Sequence, residues 1–156
     1  SPYYFDLKQT LLNPQQLSLA GKIIATMVRQ NYPSAVVAAG LTMGADPIIY
    51  AACLSEINIS HPIFPAVVRK EVKDHGTGKR IEMLKSITPA TPCVMVDDVI
   101  TTAGSTLKAV HAMREAGFTV RHAYCILDRA EGGREALAHE GIELLPVFTA
   151  AEFREK

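Results

Sequence analysis

Residues 94–106 of the chain, VMVDDVITTAGST, constrain its fold more than any other stretch. An apolar run, Val94 to Val96, is typical of a short buried strand, and two carboxylates, Asp97 and Asp98, follow it. Apolar residues then recur downstream at helical spacing. They are Leu107, Val110 and Met113. The stretch therefore predicts a strand, a polar turn and a helix.

The polar turn has the composition of a site for a phosphorylated sugar. Free backbone N–H groups and the dipole at a helix N-terminus favour an anion. Hydroxyl groups that can donate to phosphate oxygens come from Thr101, Thr102, Ser105 and Thr106. Asp97 and Asp98 would repel a bare phosphate, but they can accept hydrogen bonds from a ribose whose 5-phosphate lies in the turn. The alternative is an ordinary strand, turn and helix with capping hydroxyls and a solvated Asp pair.

Length and composition indicate a single globular domain. We expect one domain over residues 1–156, because 156 residues with 48% hydrophobic and 21% charged side chains can form a substantial core. Sixteen basic and sixteen acidic side chains cancel, which argues against nucleic acid or a membrane as partner. Three cysteines in apolar surroundings predict reduced core thiols and a cytoplasmic protein.

Apolar runs alternate with helical patterns along the chain. Helices are predicted at residues 15–31, 45–57 and 132–138 and after residue 106, and strands at 34–39, 63–68, 94–96, 120–127 and 142–148. This alternation predicts a parallel sheet covered by helices on both faces, with ligands at the carboxyl ends of the strands. Neither the P-loop pattern nor Gly-x-Gly-x-x-Gly occurs in the chain.

Residues 69–80, RKEVKDHGTGKR, form a basic segment directly after one predicted strand. Five basic side chains and His75 crowd these twelve residues. The segment predicts a loop that an anion orders, or alternatively a solvated surface loop. A second candidate turn contains Gly40 and Gly44, and beside the first turn it would suit a pyrophosphate, although an ordinary tight turn explains these glycines equally well.

Two further features leave alternatives open. The aromatic run Tyr3, Tyr4 and Phe5 is either a core anchor or a stacking surface for a planar ligand. Arg129 follows a predicted strand, where its guanidinium can bind a ligand carboxylate in a bidentate manner or form a surface pair with Asp128.

These stretches resemble known motifs. Residues 94–106 resemble the phosphoribosyl pyrophosphate (PRPP) signature of type I phosphoribosyltransferases, with Ala103 where many members have glycine. The string RKEVKDHGTGKRIE resembles the flexible catalytic loop of the orotate phosphoribosyltransferase family. The resemblance covers residues 1 to about 148. It implies an α/β fold of the type I phosphoribosyltransferase kind, a Rossmann-like parallel sheet flanked by helices, with a small N-terminal hood that we expect to be incomplete here.

The resemblance also implies a reaction, in which PRPP and orotate give orotidine 5′-monophosphate and pyrophosphate during pyrimidine synthesis. It implies Mg²⁺ as cofactor, with no protein residue assigned to the metal, and a homodimer that shares the basic loop across subunits. The catalytic residues would be Lys73, Asp97 and Asp98. The PRPP-binding residues would be Arg69, Lys70, Lys73, His75, Asp97, Asp98, Thr101, Thr102, Ala103, Gly104 and Ser105. The orotate-binding residues would be Tyr4, Phe5, Thr101 and Arg129.

Two other functions stay open from the sequence. One is a PRPP-sensing regulator or inactive paralogue, which would keep the sugar-phosphate site without chemistry. The other is a relative that uses a purine or uracil base.

Overall fold

A computed structural model describes residues 7–71 and 80–153 of the chain. The helices are α1 (Leu7–Leu12), α2 (Pro14–Asn31), α3 (Asp46–Ser55), α4 (Gly104–Glu115) and α5 (Gly133–His139). The strands are β1 (Val37–Leu41), β2 (Phe64–Val68), β3 (Ile81–Met83), β4 (Pro92–Ile100), β5 (Thr119–Asp128) and β6 (Glu143–Thr149). A short 3₁₀ helix, Ala150–Phe153, follows β6.

The described strands form one sheet in the order β3-β2-β1-β4-β5-β6. Strands β1, β2, β4, β5 and β6 run parallel to one another, so their carboxyl ends meet at one edge. This confirms the predicted α/β fold. The edge strand β3 pairs antiparallel with β2 and was not predicted, because three residues are too few to establish an alternating pattern.

Each face of the sheet carries its own apolar layer. Met95 belongs to the layer that includes α4 residues Val110 and Met113. Val94 and Val96 point to the opposite face, because successive side chains of a strand alternate, and they pack in the layer that contains α2 and α3. The helices therefore cover both faces, as predicted.

Two predicted strands end earlier than the observed ones. β1 extends to Leu41, so Gly40 lies within the strand and the following turn is shorter than expected. β4 extends to Ile100, so Asp97 and Asp98 belong to the strand rather than to the loop after it. The helix predicted at residues 15–31 is observed as α2, and Asn13 caps it by accepting hydrogen bonds from the Gln15 and Gln16 amides.

Two of the three cysteines lie in the core, as predicted. All three are free and Cys53 is only partly buried, whereas Cys93 and Cys125 are fully buried in the core. Burial raises the pKa of both thiols, so neither is a thiolate at neutral pH. Across residues 7–71 and 80–153, no helix combines the length and the apolar character needed to cross a membrane.

Candidate functional site

The turn between β4 and α4 forms the floor of the site. Only Thr101, Thr102 and Ala103 separate the strand from the helix. Ala103 adopts the left-handed region, with φ 62°, and its carbonyl accepts the Leu107 amide. A cavity of about 260 Å³ lies over this turn. It is lined by Asp97, residues 99–106 and Lys108.

This cavity has the chemistry of an anion site. It lies at the N-terminus of the twelve-residue helix α4, where the first backbone N–H groups have no partner within the helix. Thr102 and Ser105 are exposed and can turn their hydroxyls toward a ligand, and Thr101 is half-buried. The predicted phosphate-binding residues are thus brought together around one cavity.

Asp97 lies beneath this turn and is only 7% exposed. Its Oδ2 accepts the Thr106 hydroxyl at 2.8 Å, and its Oδ1 accepts the Asp98 amide at 3.0 Å. Burial raises the pKa of Asp97 to about 7, the Thr106 hydrogen bond opposes this rise, and the nearby Asp98 charge adds to it. The predicted role of Thr106 as a phosphate donor is wrong, because its buried hydroxyl is directed at Asp97.

Asp98 faces the turn between β1 and α3. A Cβ built on Gly44 would lie 3.2 Å from Asp98 Oδ1, so the backbone of this turn passes directly beside the carboxylate. Thr42 Oγ1 donates to Asp46 Oδ2 across the same turn at 2.7 Å, and the Thr42–Met43 peptide is cis. The turn that contains Gly44 therefore lies beside Asp98, near the carboxyl end of β4, and whether a pyrophosphate occupies this place stays a prediction.

The segment after β5 approaches the turn between β4 and α4. The Arg129 amide donates to the Ile100 carbonyl at 2.9 Å, which places Arg129 next to the start of that turn. Its guanidinium pairs with Glu131 at 2.8 Å. Asp128 is buried and pairs with Arg134 at 3.2 Å. The alternative of an Asp128–Arg129 surface pair is therefore wrong, since each side chain has another partner.

The basic segment begins and ends at the neighbouring strands β2 and β3. The Arg69 amide donates to the Arg80 carbonyl at 2.8 Å, and the Arg69 guanidinium pairs with Glu82 at 2.8 Å. Lys70 is exposed. Four predicted site residues lie outside the described part of the chain: Tyr4, Phe5, Lys73 and His75.

Sequence reasoning gave one residue of this site the wrong partner and missed another. Thr106 was assigned to the ligand rather than to Asp97, since a motif does not reveal which partner a hydroxyl takes. Lys108 lines the cavity and is exposed, so it adds a positive charge near the turn. Its spacing could have revealed it, because residues 104 and 108 share one face of a helix.

Comparisons with known proteins identify the family. No family model matches the chain. It is 46% identical over 155 residues to the orotate phosphoribosyltransferase of Leptospira biflexa serovar Patoc, covering 98% of this chain and 82% of that protein. It is 44% identical over 152 residues to the orotate phosphoribosyltransferase of Aquifex aeolicus, covering 97% and 81%.

A solved structure agrees with these relatives. The crystal structure of Mycobacterium tuberculosis H37Rv orotate phosphoribosyltransferase in complex with PRPP matches with a TM-score of 0.81 at 31% identity. The match covers 96% of this chain and 82% of that one. The resemblance seen in the two sequence motifs is thereby confirmed. The chain belongs to the orotate phosphoribosyltransferase family, whose members are phosphoribosyl-transferring enzymes.

Proposed function

We propose that this chain transfers the 5-phosphoribosyl group of PRPP to orotate, giving orotidine 5′-monophosphate and pyrophosphate in the de novo synthesis of UMP. The observation that carries the proposal is the cavity at the N-terminus of α4, where a hydroxyl-rich turn adjoins the carboxylate of Asp97, with Asp98 next to it in β4. A ribose 5-phosphate satisfies both halves of this site, because its phosphate needs donors and its hydroxyls need acceptors.

Within this proposal, the turn binds the 5-phosphate and the carboxylates hold the ribose. The residues of the turn are Thr101, Thr102, Ala103, Gly104 and Ser105. Asp97 and Asp98 accept hydrogen bonds from the ribose hydroxyls. Their negative charge also favours the oxocarbenium-like ribose that forms when the anomeric bond breaks.

The basic segment serves the leaving group. The bond from the ribose anomeric carbon to pyrophosphate breaks, and negative charge accumulates on the departing oxygen. Arg69, Lys70, Lys73 and His75 stabilise that charge, and a single well-placed donor contributes about 3 to 4 kcal/mol to such a transition state. The position of Arg69 supports this role, because Glu82 holds its guanidinium at the base of the loop.

Orotate binds on the other side of the ribose. Its carboxylate pairs with the Arg129 guanidinium, Thr101 reaches its ring, and Tyr4 and Phe5 lie against its face. The hydrogen bond from the Arg129 amide to the Ile100 carbonyl supports this assignment, because it keeps Arg129 beside Thr101. The ring nitrogen of orotate attacks the anomeric carbon, and Asp98 can accept the proton of that nitrogen where it is still present.

The site fits Mg²⁺ bound mainly through the substrate. Among residues 7–71 and 80–153, no three His, Cys, Asp or Glu side chains are grouped so as to hold a metal ion. Asp97 and Asp98 would instead hold the ion through ribose oxygens and water, in keeping with the preference of Mg²⁺ for few protein ligands. When bound, Mg²⁺ neutralises part of the pyrophosphate charge.

The proposal extends to a cytoplasmic homodimer in which the basic loop of one subunit enters the site of its partner. Four large apolar side chains in and just after α3 are exposed, which supports a protein interface in this part of the chain. They are Tyr50, Leu54, Ile57 and Ile59. The free cysteines support the proposed location in the reducing cytoplasm.

We also propose that residues 1–156 form one domain, since all described strands join a single sheet.

The test is incubation of the protein with Mg²⁺, PRPP and orotate while the absorbance of orotate is followed. We expect orotate to disappear only when PRPP is present. Binding of PRPP without consumption of orotate would instead support the sensor. Consumption of adenine or uracil in place of orotate would support the relative with another base.

A further inference from the structure

The first residue of α5 lies in direct contact with the turn between β4 and α4. We call this turn, residues 101–103, the phosphate turn. A Cβ built on Gly133 would lie 2.5 Å from the Thr101 carbonyl oxygen and 2.6 Å from Ile100 Cγ2. It would also lie 3.3 Å from the Ala103 amide nitrogen. Real Cβ atoms essentially never approach other atoms within 3.0 Å. Only glycine therefore allows α5 to reach this depth beside the turn.

Helix α5 is itself fixed to the sheet. Arg134, the next residue, donates to the Leu144 carbonyl at 2.9 Å and pairs with the buried Asp128 at 3.2 Å. Asp128 also accepts the Ala130 amide at 2.9 Å. Leu137 is fully buried in the layer beneath the helix. The start of α5 is thus held by β5 and β6, so the position of Gly133 relative to the sheet is fixed.

We propose that Gly133 is a positioning residue for the sugar phosphate, because its contact with Thr101 sets the position of the turn over residues 101–103. This inference rests on the proposed assignment of that turn to the 5-phosphate of ribose. Backbone amides and hydroxyls bind a phosphate only at hydrogen-bond distance, and an error of about 1 Å in such a site can cost about a hundredfold in rate. A methyl group at position 133 forces a displacement of this order.

The same contact links the two halves of the substrate site. Arg129 reaches the start of the turn through the hydrogen bond that its backbone amide donates to the Ile100 carbonyl. Gly133, four residues later, contacts the Thr101 carbonyl. The segment from Asp128 to Arg134 therefore carries the proposed orotate arginine at one end and supports the phosphate turn at the other. A Cβ at position 133 would meet atoms of Ile100, Thr101 and Ala103, so a change there acts directly on the turn.

The test compares Gly133→Ala with the parent protein, using ribose 5-phosphate and inorganic pyrophosphate as separate probes in titration calorimetry. We expect the affinity for ribose 5-phosphate to fall at least about tenfold. The affinity for pyrophosphate, which the basic segment binds, should change less than about twofold, a split that general loss of stability would not produce. Equal affinity for ribose 5-phosphate in both proteins would overturn the proposal.

Gly132→Ala is the matched control. Gly132 has φ 91°, and nothing lies within 4 Å of a Cβ built on it. This substitution strains the backbone at the start of α5 without touching the turn, so it should lower the melting temperature and keep ribose 5-phosphate affinity within about twofold. An equal loss of affinity in both variants would assign the effect to strain and overturn the role of the contact.

Arg134→Met covers the case in which Gly133→Ala does not fold. It frees α5 from Leu144 and Asp128 without adding an atom beside the turn, so the affinity for ribose 5-phosphate should fall several-fold. Unchanged affinity in that variant would overturn the proposal. A parent protein that binds neither ribose 5-phosphate nor PRPP would overturn the proposed function itself, which separates the two failures.

Discussion

Replacing Thr106 by valine should shift the pH dependence of the enzyme in a predictable direction. The Thr106 hydroxyl is buried and donates to Asp97 Oδ2 at 2.8 Å, and valine removes this donor at nearly constant size. Burial already raises the pKa of Asp97 to about 7 against the opposing effect of this hydrogen bond. Without it the pKa should rise further, by about one unit if the bond favours the charged form by about 1.4 kcal/mol.

The sign of the effect follows from the proposed role of Asp97. Its charged form accepts hydrogen bonds from the ribose hydroxyls. The value of kcat/KM for PRPP should therefore fall as the pH is lowered and Asp97 becomes protonated in the free enzyme. In Thr106→Val the midpoint of that acidic limb should lie about one unit higher than in the parent. The ionisation of PRPP contributes equally to both curves and cancels in the comparison.

The free energy of unfolding gives an independent measure. Because the folded pKa of Asp97 lies above its ordinary value of 3.8, the stability it contributes is fully present below about pH 4 and is lost as the pH rises through 7. In Thr106→Val the loss continues to higher pH. The substitution should therefore cost about 1 kcal/mol at pH 5 and about 2 to 3 kcal/mol at pH 8.5.

The assay is kcat/KM for PRPP from pH 5.5 to 9, together with urea unfolding at the two pH values. Thr106→Ser is the matched control: it keeps the hydroxyl and loses one buried methyl, so it should cost about 0.8 kcal/mol at both pH values. Its acidic limb should coincide with that of the parent. Identical midpoints in the parent and Thr106→Val would refute the link between Thr106 and the ionisation of Asp97.

Three further substitutions test other parts of the site. Lys73→Ala should lower kcat by about a hundredfold with little change in the KM for orotate, whereas Lys22→Ala on the exposed face of α2 should match the parent in steady-state assays. Arg129→Gln should raise the KM for orotate at least tenfold and keep PRPP affinity, and an unchanged KM, as expected for the exposed Arg121→Gln, would remove Arg129 from the site. Ala103→Gly should leave the free energy of unfolding within about 1 kcal/mol of the parent. Glycine relieves the backbone strain at φ 62°, but it also removes a buried methyl group and increases the backbone entropy of the unfolded chain. A change above about 2 kcal/mol in urea unfolding would contradict this balance.

Most helices and strands were predicted to within about two residues, whereas the edge strand β3 was not predicted and β1 and β4 were predicted to end too early. The eighteen-residue α2 and the ten-residue β5 carry enough apolar positions to establish their period. The three-residue β3 does not, and it exists through pairing with β2 across the basic segment. β4 was predicted too short because Asp97 and Asp98 are poor strand formers by composition, yet β5 pairs with the strand as far as Ile100.

The sequence by itself determined the chemistry available to this protein. The hydroxyl-rich turn, the paired carboxylates and the basic segment are local strings. Their donors and charges indicate a site for a phosphorylated sugar, and their resemblance to known motifs implies PRPP. Only the tertiary structure decided which of these side chains pair with each other. The packing of α4 against β4 directs the Thr106 hydroxyl to Asp97. The packing of α5 pairs Arg134 with Asp128 and brings Gly133 against the turn between β4 and α4. These partners lie far apart in sequence or compete with nearer ones, so their pairing depends on how strands and helices pack, which a local pattern does not encode.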